Sequence, residues 1–143
     1  MFLKLLVAWA LLAVCVVVHA VGVAAIVRGL RRRVPAEQLL WPWTWLFIRV
    51  AGWIVVLHLL EVGAWAMVYV WTGALADWQA ALYFSAVTYT TTGYGDLTLP
   101  KDWQLVGGVE ALTGILMCGW STGFFVAVVG RMLRADKPVE RAA

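Results

Sequence analysis

Three long apolar runs divide the chain, and a short polar stretch lies between the second and the third. The runs cover about residues 5–27, 46–71 and 103–130. At 1.5 Å per residue, each is long enough to cross about 30 Å of hydrocarbon as an α-helix. A secretory signal peptide is an alternative for the first run, but its positive charge should precede the apolar core, and here the arginines follow it. We therefore predict three transmembrane helices.

A shorter apolar segment, residues 78–89 or 78–90, precedes the polar stretch. Asp77 stands before it and is a good N-cap residue for a helix. Twelve residues reach only about 18 Å, which is too short to cross a bilayer. The pattern predicts a re-entrant helix that leads into an irregular segment. Such a backbone is tolerated at membrane depth only when it is buried in protein or lines water.

Composition supports the membrane assignment. The chain is 64% hydrophobic and 13% charged, whereas soluble domains average about 25% charged residues. Cys15 and Cys118 lie in separate apolar runs and are interpreted as buried apolar side chains rather than a disulfide or a metal pair. We find no phosphate loop, metal-ligand spacing or nucleophile triad, so we expect no enzymatic activity, no cofactor and no nucleic-acid partner. The fold class is predicted to be an all-α integral membrane protein.

Basic residues predict the orientation. They concentrate after the first run and at the C-terminus, whereas only Lys4 and Lys101 lie on the other side. Positive charge favours the cytoplasm, so the N-terminus and the polar stretch are expected outside and the tail inside. The arginine cluster is also a candidate contact for anionic lipid; its members are Arg28, Arg31, Arg32 and Arg33. Alternating tryptophans around Pro42 predict an interfacial segment over residues 35–45.

The polar stretch reads Thr-Thr-Thr-Gly-Tyr-Gly-Asp at residues 90–96. A potassium ion that sheds its water needs replacement oxygens, and backbone carbonyls provide them if they point toward one axis. Such a backbone requires alternating conformations, which glycine tolerates at Gly93 and Gly95. Thr91 offers both a hydroxyl and a carbonyl. Tyr94 is expected to point away from the axis of carbonyls and to pack behind this segment. One chain supplies one wall, so a closed ring needs several copies.

The chain resembles the tetrameric potassium channel superfamily in three places. These are residues 91–96, the preceding segment 83–89, which corresponds to the pore helix of that family, and Gly114 in the third run. The resemblance covers about residues 45–134 and is strongest to small bacterial proteins with one outer helix, a pore loop and an inner helix. It implies a homotetramer in the bacterial inner membrane, with potassium as cargo. The implied filter residues are Thr91, Thr92, Gly93, Tyr94 and Gly95. Asp96 would ring the outer mouth, and Gly114 is the candidate gating hinge.

The chain departs from the family pattern in three places. Thr92 stands where valine or isoleucine is commoner and adds a hydroxyl behind or beside the filter. Val87 stands where some relatives carry a glutamate that pairs with the equivalent of Asp96. The first run is an additional span. The resulting domain plan is an N-terminal helix and basic loop over residues 1–34, a pore domain over 35–134 and a short tail over 135–143.

Three of the ionisable residues within the predicted spans are candidates for a structural or sensing role. His58 and Glu61 are three residues apart and so share one helical face. They form either a proton-sensing pair or a hydrogen-bonded pair that packs the second span against the pore helix or the first span. Glu110 is either a structural partner of the pore helix or an ion ligand. Trp120 either fills a subunit contact or narrows the cavity.

The predicted function is passive, potassium-selective conduction. A voltage sensor needs arginines repeated through a span, whereas these arginines cluster at one helix end. The alternatives are a weakly selective cation channel and a nonconducting accessory membrane subunit.

Overall fold

Four helices form the computed structural model, which describes residues 2–31 and 40–135. They are α1 (Phe2–Arg31), α2 (Leu40–Trp71), α3 (Trp78–Tyr89) and α4 (Gln104–Ala135). Within these described ranges there is no strand. Three of the helices are long and apolar enough to cross a membrane, over Phe2–Gly29, Trp41–Trp71 and Gln104–Gly130. The predicted all-α membrane fold is confirmed.

Helix α3 begins where the sequence predicted. The Asp77 carboxylate accepts the backbone N–H of Ala80 at 2.8 Å, which satisfies one of the unpaired donors of the first turn. The helix has 12 residues and lies between α2 and α4, in contact with both. Its length confirms that it cannot span a bilayer alone.

Helix α2 begins earlier than predicted. Its helical structure starts at Leu40, so the tryptophans at 41, 43 and 45 belong to its first turns instead of a separate segment. Pro42 is compatible with this start because the first four N–H groups of a helix have no intrahelical partner. The rest of the predicted interfacial segment, Arg32, Arg33 and the tail from residue 136 lie outside the described residues.

Helix α1 packs on α2 and α4 of the same chain. Its buried side chains are spaced seven and four residues apart, at Ala8, Cys15 and His19, and therefore form one stripe. Gly22 continues the stripe, and a Cβ there would lie 2.3 Å from a methyl group of Leu57. The additional span is thus an integral part of the bundle.

An ion pair joins the start of α1 to the loop that precedes α4. The Lys4 ammonium donates to the Asp102 carboxylate and lies 4.5 Å from the centre of the Trp103 ring. The hydrogen bond from Lys4 holds the pKa of Asp102 below its ordinary range. The contact places the start of α1 beside the segment that follows residues 90–96.

An aromatic core fills the space between α2, α3 and α4. The Tyr69 ring meets Phe84 edge-on at 5.5 Å and Trp103 at 6.4 Å. By contrast, α4 presents Leu112, Ile115 and Leu116 on an exposed apolar face. Cys118, predicted to be buried, is also exposed, because it lies three residues after Ile115 and so on the same exposed face of α4.

Candidate functional site

The backbone of residues 91–95 alternates in conformation. Thr91, Gly93 and Gly95 have φ angles of 59°, 52° and 77°, whereas Thr92 and Tyr94 have negative φ. A change of sign at every residue turns successive peptide groups so that their carbonyls can face one side. Gly93 and Gly95 thus adopt the positive φ angles that this alternation needs and that glycine tolerates. Thr91 extends the alternation by adopting a left-handed conformation that a threonine rarely takes.

Hydrogen bonds anchor this segment, residues 91–95, to the C-terminal end of α3. The N–H of Gly93 donates to the Val87 carbonyl at 3.0 Å, and that of Thr91 donates to the Thr88 carbonyl at 2.9 Å. The Thr90 hydroxyl donates to the Ala86 carbonyl at 2.7 Å. It also lies 2.9 Å from the hydroxyl of the next threonine but one, at position 92. The Thr92 hydroxyl therefore faces α3, the predicted pore helix, and ties the segment to it.

A tyrosine on α3 binds Asp96, the residue that follows this segment. The Tyr83 hydroxyl donates to the Asp96 carboxylate at 2.6 Å. This bond stabilises the charged carboxylate and holds the pKa of Asp96 below its ordinary value. Val87 offers no side-chain partner to Asp96, so Tyr83, four residues earlier on α3, takes that place. Tyr94 is 72% exposed in the single chain.

Glu110 lies behind the pore helix and is fully buried. It accepts hydrogen bonds from the Tyr69 hydroxyl at 2.7 Å and from the Ser85 hydroxyl. These donors lie on α2 and α3, so the carboxylate joins three helices. Of the two roles expected for Glu110, the structure shows the contact with the pore helix, α3, through Ser85.

Gly114 marks the closest approach of α4 to α3. A Cβ at this position would lie 1.8 Å from the Tyr89 carbonyl oxygen. Only glycine allows α4 to pass this close to the residue that ends the pore helix. The structure thus assigns Gly114 a packing contact, and its role as a gating hinge stays a prediction.

Polar groups from all four helices meet below the pore helix. His58 Nδ1 lies 3.3 Å from Glu61 Oε2, as their spacing predicted, and His19 Nδ1 lies 3.0 Å from Glu61 Oε1. Tyr89 donates to the same carboxylate, and the Ser121 hydroxyl lies 3.1 Å from Nε2 of each histidine. The second span is therefore hydrogen-bonded to both the first span and the pore helix. We call these five residues the histidine cluster.

Sequence reasoning did not assign His19 to this cluster. Between Lys4 and Arg28 the sequence has no Lys, Arg, Asp or Glu, and His19 is its one histidine. Its position deep within an apolar span is enough to make it a candidate functional residue. Trp120, whose role was left open, packs its ring 5.4 Å from that of His19. The polar contributions of Tyr89 and Ser121 depend on helix packing, so no local sequence signal marks them.

The fold and the site define a multi-pass membrane protein of the pore-loop class. It has three apolar spans, a short capped helix between two of them, and a segment of alternating backbone conformation anchored to the end of that helix. A family model described as "Ion channel" matches residues 44–133, and the chain belongs to that ion channel family. The match begins in α2 and ends in α4, so α1 lies outside it. The sequence matches no curated protein and no solved structure.

Proposed function

We propose that this ion channel conducts potassium passively and selectively through residues 91–95. The observation that carries the proposal is the alternating backbone of Thr91, Gly93 and Gly95. With this alternation, the carbonyls of successive residues can replace the hydration shell of a dehydrated potassium ion. The Thr91 hydroxyl extends the row of oxygens at its inner end, and Asp96 attracts cations to its outer end.

The working assembly in this proposal is a homotetramer. One chain provides a single wall of carbonyls, and an ion must be surrounded to be dehydrated. The exposed apolar face of α4 and the exposed Tyr94 ring are the surfaces that neighbouring subunits would cover. Tyr94 would then pack behind the filter and hold its diameter.

The proposed setting is a bacterial cell membrane with the filter facing outward. The pairing of Lys4 with Asp102 supports a common side for the start of α1 and the end of the filter. The arginines that follow α1 favour the cytoplasmic side, where they can meet anionic lipid.

Potassium flux into vesicles that contain the purified protein tests this function. Wild-type protein should carry barium-sensitive flux that favours potassium over sodium. The Gly93→Ala variant should lose this preference, because alanine is strained at a φ of 52°. Gly73→Ala is the matched control, since Gly73 has a φ of 69° in the α2–α3 loop and lies outside the filter.

Each alternative predicts a different result. A weakly selective cation channel would carry potassium and sodium equally. A nonconducting subunit would carry neither ion, even when the protein is a well-folded tetramer. Equal loss of selectivity in the two glycine variants would show that strain, rather than the filter position, causes the defect.

A further inference from the structure

The histidine cluster combines three groups that commonly bind metals. His19, His58 and Glu61 each direct one candidate ligand atom into the same space, and these atoms lie within 4.8 Å of one another. His19 and Glu61 are fully buried, and the His58 side chain is 19% exposed. Ionisable groups at this depth are costly to keep, so a concentration of three calls for an explanation.

With two neutral histidines and an ionised carboxylate, the cluster is one hydrogen short of its contacts. Five contacts form a ring: Glu61 to His19, His19 to Ser121, Ser121 to His58, His58 to Tyr89, and Tyr89 to Glu61. Each contact needs one hydrogen. Two neutral imidazoles and two hydroxyls supply four, and an ionised carboxylate supplies none. One contact is therefore left with two acceptors facing each other.

We propose that His19, His58 and Glu61 bind a divalent cation of the zinc class between α1 and α2. Imidazole nitrogen and carboxylate oxygen are the donors that zinc takes, at about 2.0–2.2 Å. A tetrahedral ion at that distance separates its ligand atoms by roughly 3.3 Å. The two Nδ1 atoms lie 3.0 Å and 3.3 Å from the two oxygens of the Glu61 carboxylate, close to that separation. The candidate ligand atoms all lie within 4.8 Å of one another, so binding an ion would draw them together.

The outer nitrogens of the two histidines are already placed for this role. When Nδ1 of a neutral histidine binds a metal, its hydrogen resides on Nε2. Both Nε2 atoms lie 3.1 Å from the Ser121 oxygen, which has two lone pairs to accept them. The metal-bound cluster keeps the same four hydrogens and has no pair of facing acceptors. Ser121 thus acts as a positioning residue.

The remaining coordination position faces the pore helix. The Tyr89 hydroxyl lies 3.1 Å from His58 Nδ1 and donates to Glu61, so its oxygen borders the same space. Tyr89 ends α3 and directly precedes the segment that anchors the filter. A bound ion would therefore join the first span to the base of the filter.

Metal content measures this proposal directly. Full-length protein without an affinity tag is stripped with a chelator, equilibrated with micromolar zinc and washed, and its zinc is determined by mass spectrometry. The Cys118→Ser background removes the exposed thiol as a competing ligand. We expect one zinc per chain, and its replacement by cobalt should give the intense visible absorption of a tetrahedral site.

Variants assign the metal to the cluster. His19→Ala and Glu61→Gln should lose the zinc, whereas Glu110→Gln, which alters the other buried glutamate, should keep it. Ser121→Ala removes no proposed ligand and should bind zinc roughly 10–100-fold more weakly. Ser121→Ala also keeps the test decisive if the ligand variants fail to fold.

Three results would overturn the proposal. The first is a wild-type protein that binds no zinc, which is also the result for a ring completed by a proton. The second is that the His19→Ala and Glu61→Gln variants retain as much zinc as the wild type. The third is a Ser121→Ala protein that binds zinc with unchanged affinity. None of these readouts depends on potassium flux, so the metal site and the proposed conduction stand or fall separately.

Discussion

Gly114→Ala tests whether the approach of α4 to the pore helix is as close as the structure indicates. The added Cβ would lie 1.8 Å from the Tyr89 oxygen and 2.7 Å from its carbonyl carbon. Ordinary contact begins at 3.4 Å, so the helices must separate by roughly 1.6 Å, the difference between the two distances. The obstacle is backbone, which cannot rotate away as a side chain can.

The expected cost follows from two opposing effects. Overpacking a tight contact costs about 1–3 kcal/mol, and a rigid backbone neighbour places this site at the upper end. Replacing glycine by alanine inside a helix returns about 1 kcal/mol. We therefore expect the free energy of unfolding to fall by about 2 kcal/mol. Potassium flux should fall as well, because Tyr89 lies at the end of α3, where hydrogen bonds hold residues 91–95.

Reversible unfolding in mixed detergent, followed by tryptophan fluorescence, measures this change. Gly63→Ala is the control, since a Cβ at Gly63 meets nothing within 4 Å. It should be neutral or stabilising by up to about 1 kcal/mol. Equal stability of the two variants would refute the packing argument. A hinge role alone predicts unchanged stability with an altered open probability.

Further substitutions probe three contacts that α3 makes. Tyr83→Phe removes the bond to Asp96 and should weaken the filter at neutral pH. The bond lowers the pKa of Asp96, so its contribution to stability is fully present above the ordinary pKa of 3.8. That contribution is lost as the pH falls through the lowered pKa. The stability curves of wild type and Tyr83→Phe should therefore converge in acid. Asp77→Ala should cost about 1 kcal/mol of unfolding free energy through loss of the α3 cap, whereas Asp77→Asn should cost little. Glu110→Gln should cost about 1–3 kcal/mol, because the amide cannot accept from both the Tyr69 and Ser85 hydroxyls on its two ends.

Each of these has a contrary outcome. Parallel curves for wild type and Tyr83→Phe down to strong acid would remove the Asp96 contact from the account. Equal stability of the alanine and asparagine variants at position 77 would deny a capping role. Unchanged stability of Glu110→Gln would show that the buried contacts do not depend on an acceptor with two equivalent oxygens.

Local patterns were sufficient for much of the fold. Apolar run length predicts the three spans, and Asp77 followed by 12 residues predicts α3, since caps and helix length are properties of neighbouring residues. The alternating backbone at Gly93 and Gly95 is likewise a local requirement. The start of α2 was misplaced because tryptophan and proline at an interface are compatible with either a loop or a first helical turn.

The histidine cluster could be predicted only in part. The spacing of His58 and Glu61 puts them on one face, which a single helix determines. Their contact with His19 depends on the way α1 packs, and residues 42 positions apart in the chain carry no shared local signal. The same holds for Gly114, whose contact with Tyr89 exists only once α3 and α4 are placed together.

Reversal potential measures potassium selectivity, the central proposal, most directly. The purified protein is placed in a planar bilayer with potassium on one side and sodium on the other. Each tenfold ratio of permeabilities shifts the reversal potential by about 59 mV for a monovalent ion. The account predicts a shift larger than this toward the potassium equilibrium potential. A reversal potential near zero, with robust current, would contradict it.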